Sequence, residues 1–399
     1  MKIYSCHICK NKLSIILDLN KQPPANSIFK KKKPKSFPLI LSFCKTCSLL
    51  QLTEYPSKKY LFKKYFWVTG TSKGANNFSK TFYKKLSKFL KAGSNIFEIA
   101  SNDGTFLKEF KKNKHNILGI DPAKNISKIA NSKGIKTIPD FFNYKKSIEI
   151  KKKFQPDLIF ARNVIPHVSN LKSVARGISN LCNDNTKVAI EFHYAGNIYK
   201  ELQYDSIYHE HIFYFTIKSL SKIFNEFGLY PRDLFVSPIS GGAIVLIFSK
   251  TQKIKSSILK KFIKYEKKIK LNNVNTWKKF SKKVKIHKAN FKKLIFEKFK
   301  AKGKMFAYGA SARSSTLLNY TKIDNRYIDF IIDQNKLKEG YNTPGSNIKI
   351  LTFKKVSSVI KNYQSMILLA WNFKDEITKF LLKKKFKGEI LIPFKKNDI

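Results

Sequence analysis

Four consecutive residues, Tyr208, His209, Glu210 and His211, put phenol, imidazole and carboxyl groups side by side. They lie in the stretch YDSIYHEHIFYF, residues 204–215, although the whole chain has only 7 histidines. Imidazole titrates near neutral pH, so this group of side chains suits general acid–base catalysis. The stretch alone leaves three interpretations open, which are proton transfer, metal ligation and ordinary packing.

Two CxxC pairs, Cys6 with Cys9 and Cys44 with Cys47, predict a metal site. Each pair places two thiolates on one tight turn, and two such turns complete a tetrahedral zinc site. Four protein ligands leave no open coordination position, so this zinc is expected to be structural. We therefore expect residues 1–57 to form a zinc-binding domain.

A strand–loop–helix unit is predicted where residues 96–104 read IFEIASNDG. The apolar strand carries Glu98, small and turn-forming residues follow, and TFLKEFKK then has helical spacing. The next strand, NILGID, ends in Asp121, an acid able to bond ribose hydroxyls. This is typical of the first unit of a doubly wound sheet.

The elements that follow predict an α/β fold class. Further strands are expected at 157–163 and 187–193, then a hairpin over 234–250. A parallel sheet that finishes in an antiparallel hairpin is the order of class I methyltransferases, so residues 58–250 are expected to be a Rossmann-like methyltransferase domain. Residues 251–399 are expected to be a helical linker followed by a smaller Rossmann-like α/β domain, whose strand–loop–helix unit covers 304–320.

The composition excludes some classes of protein. The net charge is +53, but only five of 79 basic residues are arginine, and lysine is spread along the whole length. Nucleic-acid surfaces favour arginine, so we interpret the charge as codon bias and expect no nucleic-acid partner. No apolar run reaches 18 residues and no signal segment opens the chain, so a cytoplasmic protein without a membrane partner is expected. The sequence does not indicate an oligomeric state.

Several short motifs occur in a specific order along the chain. They are the two CxxC pairs with QPPAN between them, EIASNDGTFL, NVIPHV, YDSIYHEH, GGA, AYGASARSSTLLNY, EGYNTPGS and AWNF. In this combination the chain resembles the sugar C-methyltransferases that act at C3 of nucleotide-linked deoxysugars, and the resemblance covers essentially its whole length. It implies S-adenosylmethionine and structural zinc as cofactors and a nucleotide sugar as substrate.

The resemblance places the methyl donor at the loop after the first strand of the middle domain. The residues that it implies for donor binding are Glu98, Ala100, Ser101, Asn102, Asp103, Gly104, Asp121 and Asn163. Ala100 stands where glycine is common, yet it is small enough for close backbone approach. Asp121 is implied to bind the ribose, and Asn163 to lie below the methionine moiety.

The resemblance also gives the YHEH stretch a reaction. Family members remove a proton from C3 of a 4-keto sugar, and the enolate carbon then takes the methyl group. By its position in the motif, His211 is implied as the base, while Tyr208 and Glu210 orient the sugar or stabilise the enolate. His167 is implied to enter the same cleft, and Tyr65 to supply a further hydroxyl.

The nucleotide sugar is expected to contact residues of the later motifs, namely Gly241, Gly242, Tyr308, Arg313 and Asn319. The position of Arg313 independently indicates a phosphate contact, because arginine is rare in this chain and this one lies at a predicted helix start. Such positions bind phosphate, and the guanidinium does so with two hydrogen bonds. The alternative for Arg313 is a surface ion pair.

Two other functions are compatible with parts of the sequence. A zinc-ribbon RNA methyltransferase would account for the charge and the zinc, but the chain lacks an [ND]PP[YF] signature and an aromatic-interleaved basic patch. A non-catalytic protein that binds sugar nucleotides would not need the proton-transfer groups of YHEH.

Overall fold

The computed structural model describes residues 3–61, 68–238, 241–251 and 255–394. The strands are β1 (Ser14–Gln22), β2 (Phe37–Cys44), β3 (Leu49–Leu52), β4 (Asn95–Ile99), β5 (Asn116–Ile120), β6 (Thr137–Ile138), β7 (Leu158–Arg162), β8 (Lys187–His193), β9 (Phe213–Tyr214), β10 (Tyr230–Ser237), β11 (Ala243–Ser249), β12 (Met305–Tyr308), β13 (Ile328–Ile332), β14 (Lys349–Leu351), β15 (Ser365–Leu368) and β16 (Glu389–Leu391).

Helices connect these strands in chain order. They are α1 (Lys58–Leu61), α2 (Lys73–Ser87), α3 (Thr105–Lys112), α4 (Lys124–Ser132), α5 (Tyr144–Lys151), α6 (Leu171–Leu181), α7 (Ala195–Lys200), α8 (Ile217–Asn225), α9 (Ser257–Lys268), α10 (Val274–Lys302), α11 (Ala312–Thr321), α12 (Phe353–Val356) and α13 (Lys374–Lys383).

The middle of the chain folds around a seven-stranded sheet in the order β10-β11-β8-β7-β4-β5-β6. Strands β4 to β8 run parallel, whereas β11 is antiparallel to both β8 and β10. The inner strands are short apolar runs buried on both faces, as a sheet covered by helices requires. The predicted doubly wound sheet ending in an antiparallel hairpin is therefore confirmed.

The N-terminal sheet takes its last strand from the middle of the chain. Its order is β1-β2-β3-β9, and all its pairings are antiparallel. Because β9 begins two residues after His211, the YHEH stretch leads directly into the sheet that carries the cysteines. The boundary at residue 57 stays a prediction, as does the one at residue 250.

The C-terminal part is a five-stranded parallel sheet in the order β14-β13-β12-β15-β16. Strand β14 was not among the expected strands, because it is only 3 residues long with a single buried residue. The long helix α10 connects this sheet to the rest of the molecule. Its predicted stripe packs inward: Trp277 is 0% exposed and Phe280, Val284 and Phe291 are also buried, while Leu294 is partly buried.

The YHEH stretch is neither a helix nor a strand. Residues Tyr204–Ser206 form a 3-10 turn, and a second turn covers 209–210. The two histidine rings consequently meet different surroundings. His209 is 0% exposed and contacts the Pro38 carbonyl, whereas the His211 ring packs against His167.

The chain was also searched for helices able to cross a bilayer. Among the described residues, no helix is both long and apolar enough to do so.

Candidate active site and metal site

The His211 imidazole lies at the centre of a cluster of polar rings. Its Nε2 atom is 2.9 Å from the Tyr208 hydroxyl, and its ring centroid is 4.6 Å from that of His167. Burial lowers the pKa of His211 well below its usual value, and the nearby His167 and His193 rings lower it further. His211 is consequently neutral near pH 7 and able to accept a proton.

A hydrogen bond to the backbone fixes one of these rings. His167 Nδ1 is 2.6 Å from the Glu210 carbonyl oxygen, and since a carbonyl only accepts, Nδ1 carries the proton. His211 Nε2 accepts the Tyr208 hydroxyl in the Nδ1–H tautomer, which is the tautomer that leaves Nε2 able to act as a base.

The loop between β1 and β2 holds the Glu210 side chain. The Asn26 backbone N–H and side-chain amide both donate to Glu210 Oε1, at 3.2 and 2.9 Å. Glu210 Oε2 is buried and has no hydrogen-bond partner in the part of the chain that the structure describes. Burial raises the pKa of Glu210, and the hydrogen bonds from Asn26 offset part of that rise.

Arg313 forms a buried ion pair with Asp205, a residue that sequence reasoning did not single out. Arg313 Nε and Nη2 donate to the two Asp205 carboxylate oxygens at 3.0 and 2.8 Å. Trp371 Nε1 donates to the same carboxylate at 2.9 Å, and the guanidinium lies 4.6 Å from the Trp371 ring centroid. Asp205 is 1% exposed, so this pair is not at the surface. The predicted phosphate contact of Arg313 stays a prediction.

The loop between β4 and α3 adopts backbone conformations that few residues favour. Ala100, Asn102 and Gly104 all have positive φ, at 55°, 52° and 75°. At Gly104 an added Cβ would lie 2.6 Å from Ile135, so only glycine fits this position. The Asn102 backbone N–H donates to Asp121 Oδ2 at 2.9 Å, which joins the loop to the end of β5.

The carboxyl edge of this sheet is rich in buried acids. Burial raises the pKa of Glu98 well above its usual value, although the charge of Arg162 opposes the change. Burial also raises the pKa of Asp121, against two backbone N–H donors, Ala123 and Asn102. These acids lie where the parallel strands end, the edge at which ligands bind in open α/β sheets.

The four predicted cysteines lie together. Their Sγ atoms are all within 4.8 Å of one another, and Cys6, Cys44 and Cys47 are buried. Gln51 Nε2 donates to Cys6 Sγ at 3.1 Å, and a hydrogen bond from the Cys47 thiol is the main cause that lowers the pKa of Cys6 to about 4. Tetrahedral zinc with Zn–S bonds of about 2.3 Å needs sulfurs about 3.8 Å apart, so this donor set fits the metal.

Three family models match the chain one after another. "Putative zinc binding domain" covers residues 6–62, "Methyltransferase domain" covers 74–234, and "C-methyltransferase C-terminal domain" covers 238–393. The chain is an S-adenosylmethionine-dependent C-methyltransferase. A curated relative, C-methyltransferase NovU of Streptomyces niveus, is 28% identical over 348 residues, which are 86% of this chain and 82% of NovU.

Solved structures resemble parts of this C-methyltransferase. The PH0226 protein of Pyrococcus horikoshii has 10% identity and a TM-score of 0.38, and the match covers 49% of this chain and all of PH0226. A Burkholderia thailandensis 1,6-didemethyltoxoflavin-N1-methyltransferase has 13% identity and a TM-score of 0.35, with 46% of this chain and 81% of that chain covered. The assignment to the family does not depend on these partial similarities.

Both cofactors of the C-methyltransferase fit residues that are present. At the donor edge, Glu98 Oε2 and Ser101 Oγ are buried without a hydrogen-bond partner among the described residues, so they can serve polar groups of S-adenosylmethionine. When bound, the donor supplies an electrophilic methyl group. Zinc at the four cysteines has no open position for substrate and stabilises the fold of the first sheet.

Two further residues that are predicted to bind the methyl donor lie in or near the loop between β4 and α3. Asp103 accepts a hydrogen bond from Thr105 Oγ1 at 2.7 Å and an ion pair from Lys133 at 3.2 Å. Asn163 follows β7 with a positive φ of 50°, and its N–H donates to the Glu191 carbonyl at 2.9 Å. Both residues lie at the carboxyl edge of the sheet, but their donor contacts stay predictions.

Each predicted substrate residue has its own contacts in the structure. Gly241 lies against Arg313, since an added Cβ would be 2.5 Å from Arg313 Nη1, and the neighbouring Gly242 carbonyl accepts from Asn197. Tyr308 ends β12, and its hydroxyl accepts from Gln334 Nε2 at 3.1 Å. The remaining residue lies in α11.

That residue, Asn319, donates to the carbonyls of Ser315 and Pro344 at 2.9 and 3.0 Å. Its side chain also limits the size of residue 345 to glycine, because an added Cβ there would overlap the Asn319 amide. Tyr65 lies outside the described residues.

Sequence reasoning missed residues whose partners are far away along the chain. Asp205, Trp371 and Asn26 lie inside motifs that were recognised, YDSIYHEH, AWNF and QPPAN. Spacing could not connect them, because Asp205 is 108 residues from Arg313 and Asn26 is 184 residues from Glu210. Their presence in the motifs was the only signal available.

Proposed function

We propose that this C-methyltransferase acts on a 4-keto sugar linked to a nucleoside diphosphate, methylates it at C3 and serves deoxysugar biosynthesis. The observation that carries the proposal is a neutral, mostly buried His211 beside the Tyr208 hydroxyl. Support for a sugar substrate comes from the motifs that resemble the sugar C-methyltransferases, YDSIYHEH above all.

Proton removal is the task of His211. A ketone at C4 acidifies the hydrogen on C3, and a neutral imidazole suits its abstraction near pH 7. The proton passes either directly to His211 Nε2 or through the Tyr208 hydroxyl, which is already 2.9 Å from that atom. In both routes His211 ends as the imidazolium, and the electrons of the C–H bond become the enolate.

The enolate carbon then forms the new C–C bond to the methyl group, and S-adenosylhomocysteine leaves. Negative charge on the enolate oxygen needs a donor in the water-poor site, and the Tyr208 O–H supplies it when the proton goes directly to His211. Glu210, whose raised pKa favours the protonated carboxyl, is a second donor through Oε2. Tyr65 is the further hydroxyl that the sequence motif suggests.

His167 orients the base. Its Nδ1–H is fixed on the Glu210 carbonyl, and its ring stands edge-on to the His211 ring at an interplanar angle of 63°. We therefore assign His167 to holding the imidazole in place, while the nucleotide sugar contacts Gly241, Gly242, Tyr308 and Asn319.

The direct test is incubation with a panel of 4-keto nucleotide sugars and a methyl-labelled donor, followed by mass spectrometry of the products. In deuterium oxide with S-adenosylhomocysteine in place of the donor, the enzyme should also exchange the C3 hydrogen of its substrate. A panel in which no sugar gains either a methyl group or deuterium would overturn the proposal.

A further inference from the structure

Asp205 is the most fully engaged carboxylate around the candidate active site. It receives three hydrogen bonds, two from the Arg313 fork and one from Trp371, and it is 1% exposed. Arg313 is the second residue of α11 and Trp371 follows β15, so both donors come from the C-terminal sheet region. The carboxylate therefore joins the turn that contains His211 to that region.

The residues on either side of Asp205 are held from the same region. The Tyr204 hydroxyl lies 3.0 Å from His287 Nδ1 on α10. Thr316 Oγ1, on α11, donates to the Ile207 carbonyl at 2.9 Å. Three of the four residues 204–207 thus have side-chain or carbonyl contacts that fix them against α10 and α11.

Tyr208 follows directly after these fixed points. The Ile207 carbonyl that Thr316 holds belongs to the peptide group that leads into Tyr208. The Tyr208 carbonyl accepts the His211 backbone N–H at 3.0 Å, and the Tyr208 hydroxyl lies 2.9 Å from His211 Nε2. The contacts that fix residues 204–207 therefore also set where Tyr208 meets the His211 ring.

We propose that Arg313 is a positioning residue for the reaction, acting through Asp205 and the turn at residues 204–208 on the orientation of Tyr208 and His211. This inference rests on the proposed function of His211 as the base. It differs from a phosphate contact, because both Asp205 oxygens already occupy the Arg313 fork. Nη1 lies against Gly241.

The pair also balances charge near the base. The groups whose charge or hydrogen bonding reaches His211 are His167, His193, Arg313, Tyr208 and Tyr214. Arg313 opposes protonation of His211, and Asp205 offsets that positive charge. On the acid side, kcat/KM should fall as His211 becomes protonated, and this part of the pH profile is its acid limb. The Asp205→Asn change should therefore move the acid limb to lower pH, and Arg313→Gln should move it to higher pH.

Kinetics of four variants test the proposal. Asp205→Asn should lower kcat by about 10²-fold, the cost of misplacing a catalytic group by about 1 Å, with KM for the sugar nucleotide unchanged. Arg313→Lys keeps the charge without the fork, so it should recover only part of the activity that Arg313→Gln loses. Trp371→Phe removes a single hydrogen bond to Asp205, so it provides a milder variant should Asp205→Asn fold poorly.

The matched control is the Arg326–Asp324 pair. Its guanidinium also donates twice to an aspartate, but it is exposed, with 69% of the Arg326 side chain accessible. Asp324→Asn should leave kcat, KM and the acid limb unchanged. If Arg313→Gln instead raises KM alone while Asp205→Asn has a wild-type kcat, Arg313 binds substrate and the positioning role is wrong.

A measurement without substrate separates this inference from the proposed function. In protein labelled with ¹⁵N-histidine, the His211 signals, assigned with His211→Asn, report its tautomer and pKa. Asp205→Asn and Trp371→Phe should both change them, and Asp324→Asn should not. Unchanged His211 signals in folded Asp205→Asn overturn the positioning role even if the sugar panel succeeds, whereas changed signals with an inactive panel reject only the proposed reaction.

Discussion

The loop between β4 and α3, which is predicted to bind the methyl donor, and the turn that carries His211 are built in opposite ways. The donor loop is held by near neighbours in sequence, since Asn102 bonds Asp121 only 19 residues away. The turn at residues 204–211 is held mostly by distant residues, from His167, 43 positions from Glu210, to Asn26, 184 positions from the same residue.

The two regions therefore depend on different parts of the fold. The donor loop needs only the central sheet, because its conformation follows from β4, β5 and the positive φ angles between them. The catalytic turn needs the N-terminal sheet and the C-terminal helices as well. Damage at either end of the chain should therefore impair the reaction while leaving donor binding intact.

The largest effect should come from the zinc site. Cys44→Ser should release the metal and remove folding free energy on the order of 10 kcal/mol from the N-terminal sheet. Asn26 and Pro38 would then no longer hold Glu210 and His209, so methylation should stop, while calorimetry should still detect donor binding. Cys182→Ser, a buried thiol outside the cluster, should keep the zinc. Full zinc content in Cys44→Ser would contradict the proposed zinc ligands. Loss of donor binding in this variant would contradict the independence of the donor loop from the N-terminal sheet.

His211→Asn should lower the methylation rate without changing donor binding. The change keeps a polar group of similar size but removes the base, so the methylation rate should fall by about 10²–10⁴-fold with donor affinity unchanged. Single-turnover rates and calorimetry measure the two quantities. His209→Asn is the matched change, and it should mainly reduce stability, because His209 is buried against the Pro38 carbonyl. A near wild-type rate in His211→Asn would make His167 the better candidate for the base.

Asp121→Ala should affect only the donor loop. Losing the carboxylate should weaken donor binding by about 1–3 kcal/mol, the cost of a charge-assisted hydrogen bond, and calorimetry would detect it. Asp333 is a matched control, because it follows β13 and accepts the Ala310 and Asn335 backbone N–H groups in the same manner as Asp121 accepts its own two. Donor affinity should not change in Asp333→Ala; equal weakening in both variants would mean that Asp121 acts through the fold alone.

The smallest effect is a pH dependence. His211 must be neutral to act, and since burial lowers its pKa, the acid limb of kcat/KM should lie below the ordinary histidine value of about 6.5. Activity should thus be retained as pH falls through 6.5 and be lost only at a lower pH. A limb centred above pH 6.5 would argue against His211 as the base.

Much of the fold was predictable because it depends on local patterns. The apolar runs of β4, β7 and β8 and the spacing of α3 and α10 were visible in the sequence, as were the four cysteines. Short or irregular pieces were not. β14 has one buried residue, and the 204–211 turn has aromatic and charged residues that fit either a strand or a helix.

The sequence by itself determined the order of the three parts, the zinc ligands and the donor loop, because periodicity, CxxC spacing and strand–loop–helix patterns act over a few residues to a few tens of residues. Only the tertiary structure decided the surroundings of His211. Its burial, its contact with His167 and the Arg313–Asp205 pair all arise when β9 joins the N-terminal sheet and α10 and α11 pack against the same turn. Such contacts between distant residues are fixed by the packing of the whole core, which no local pattern encodes.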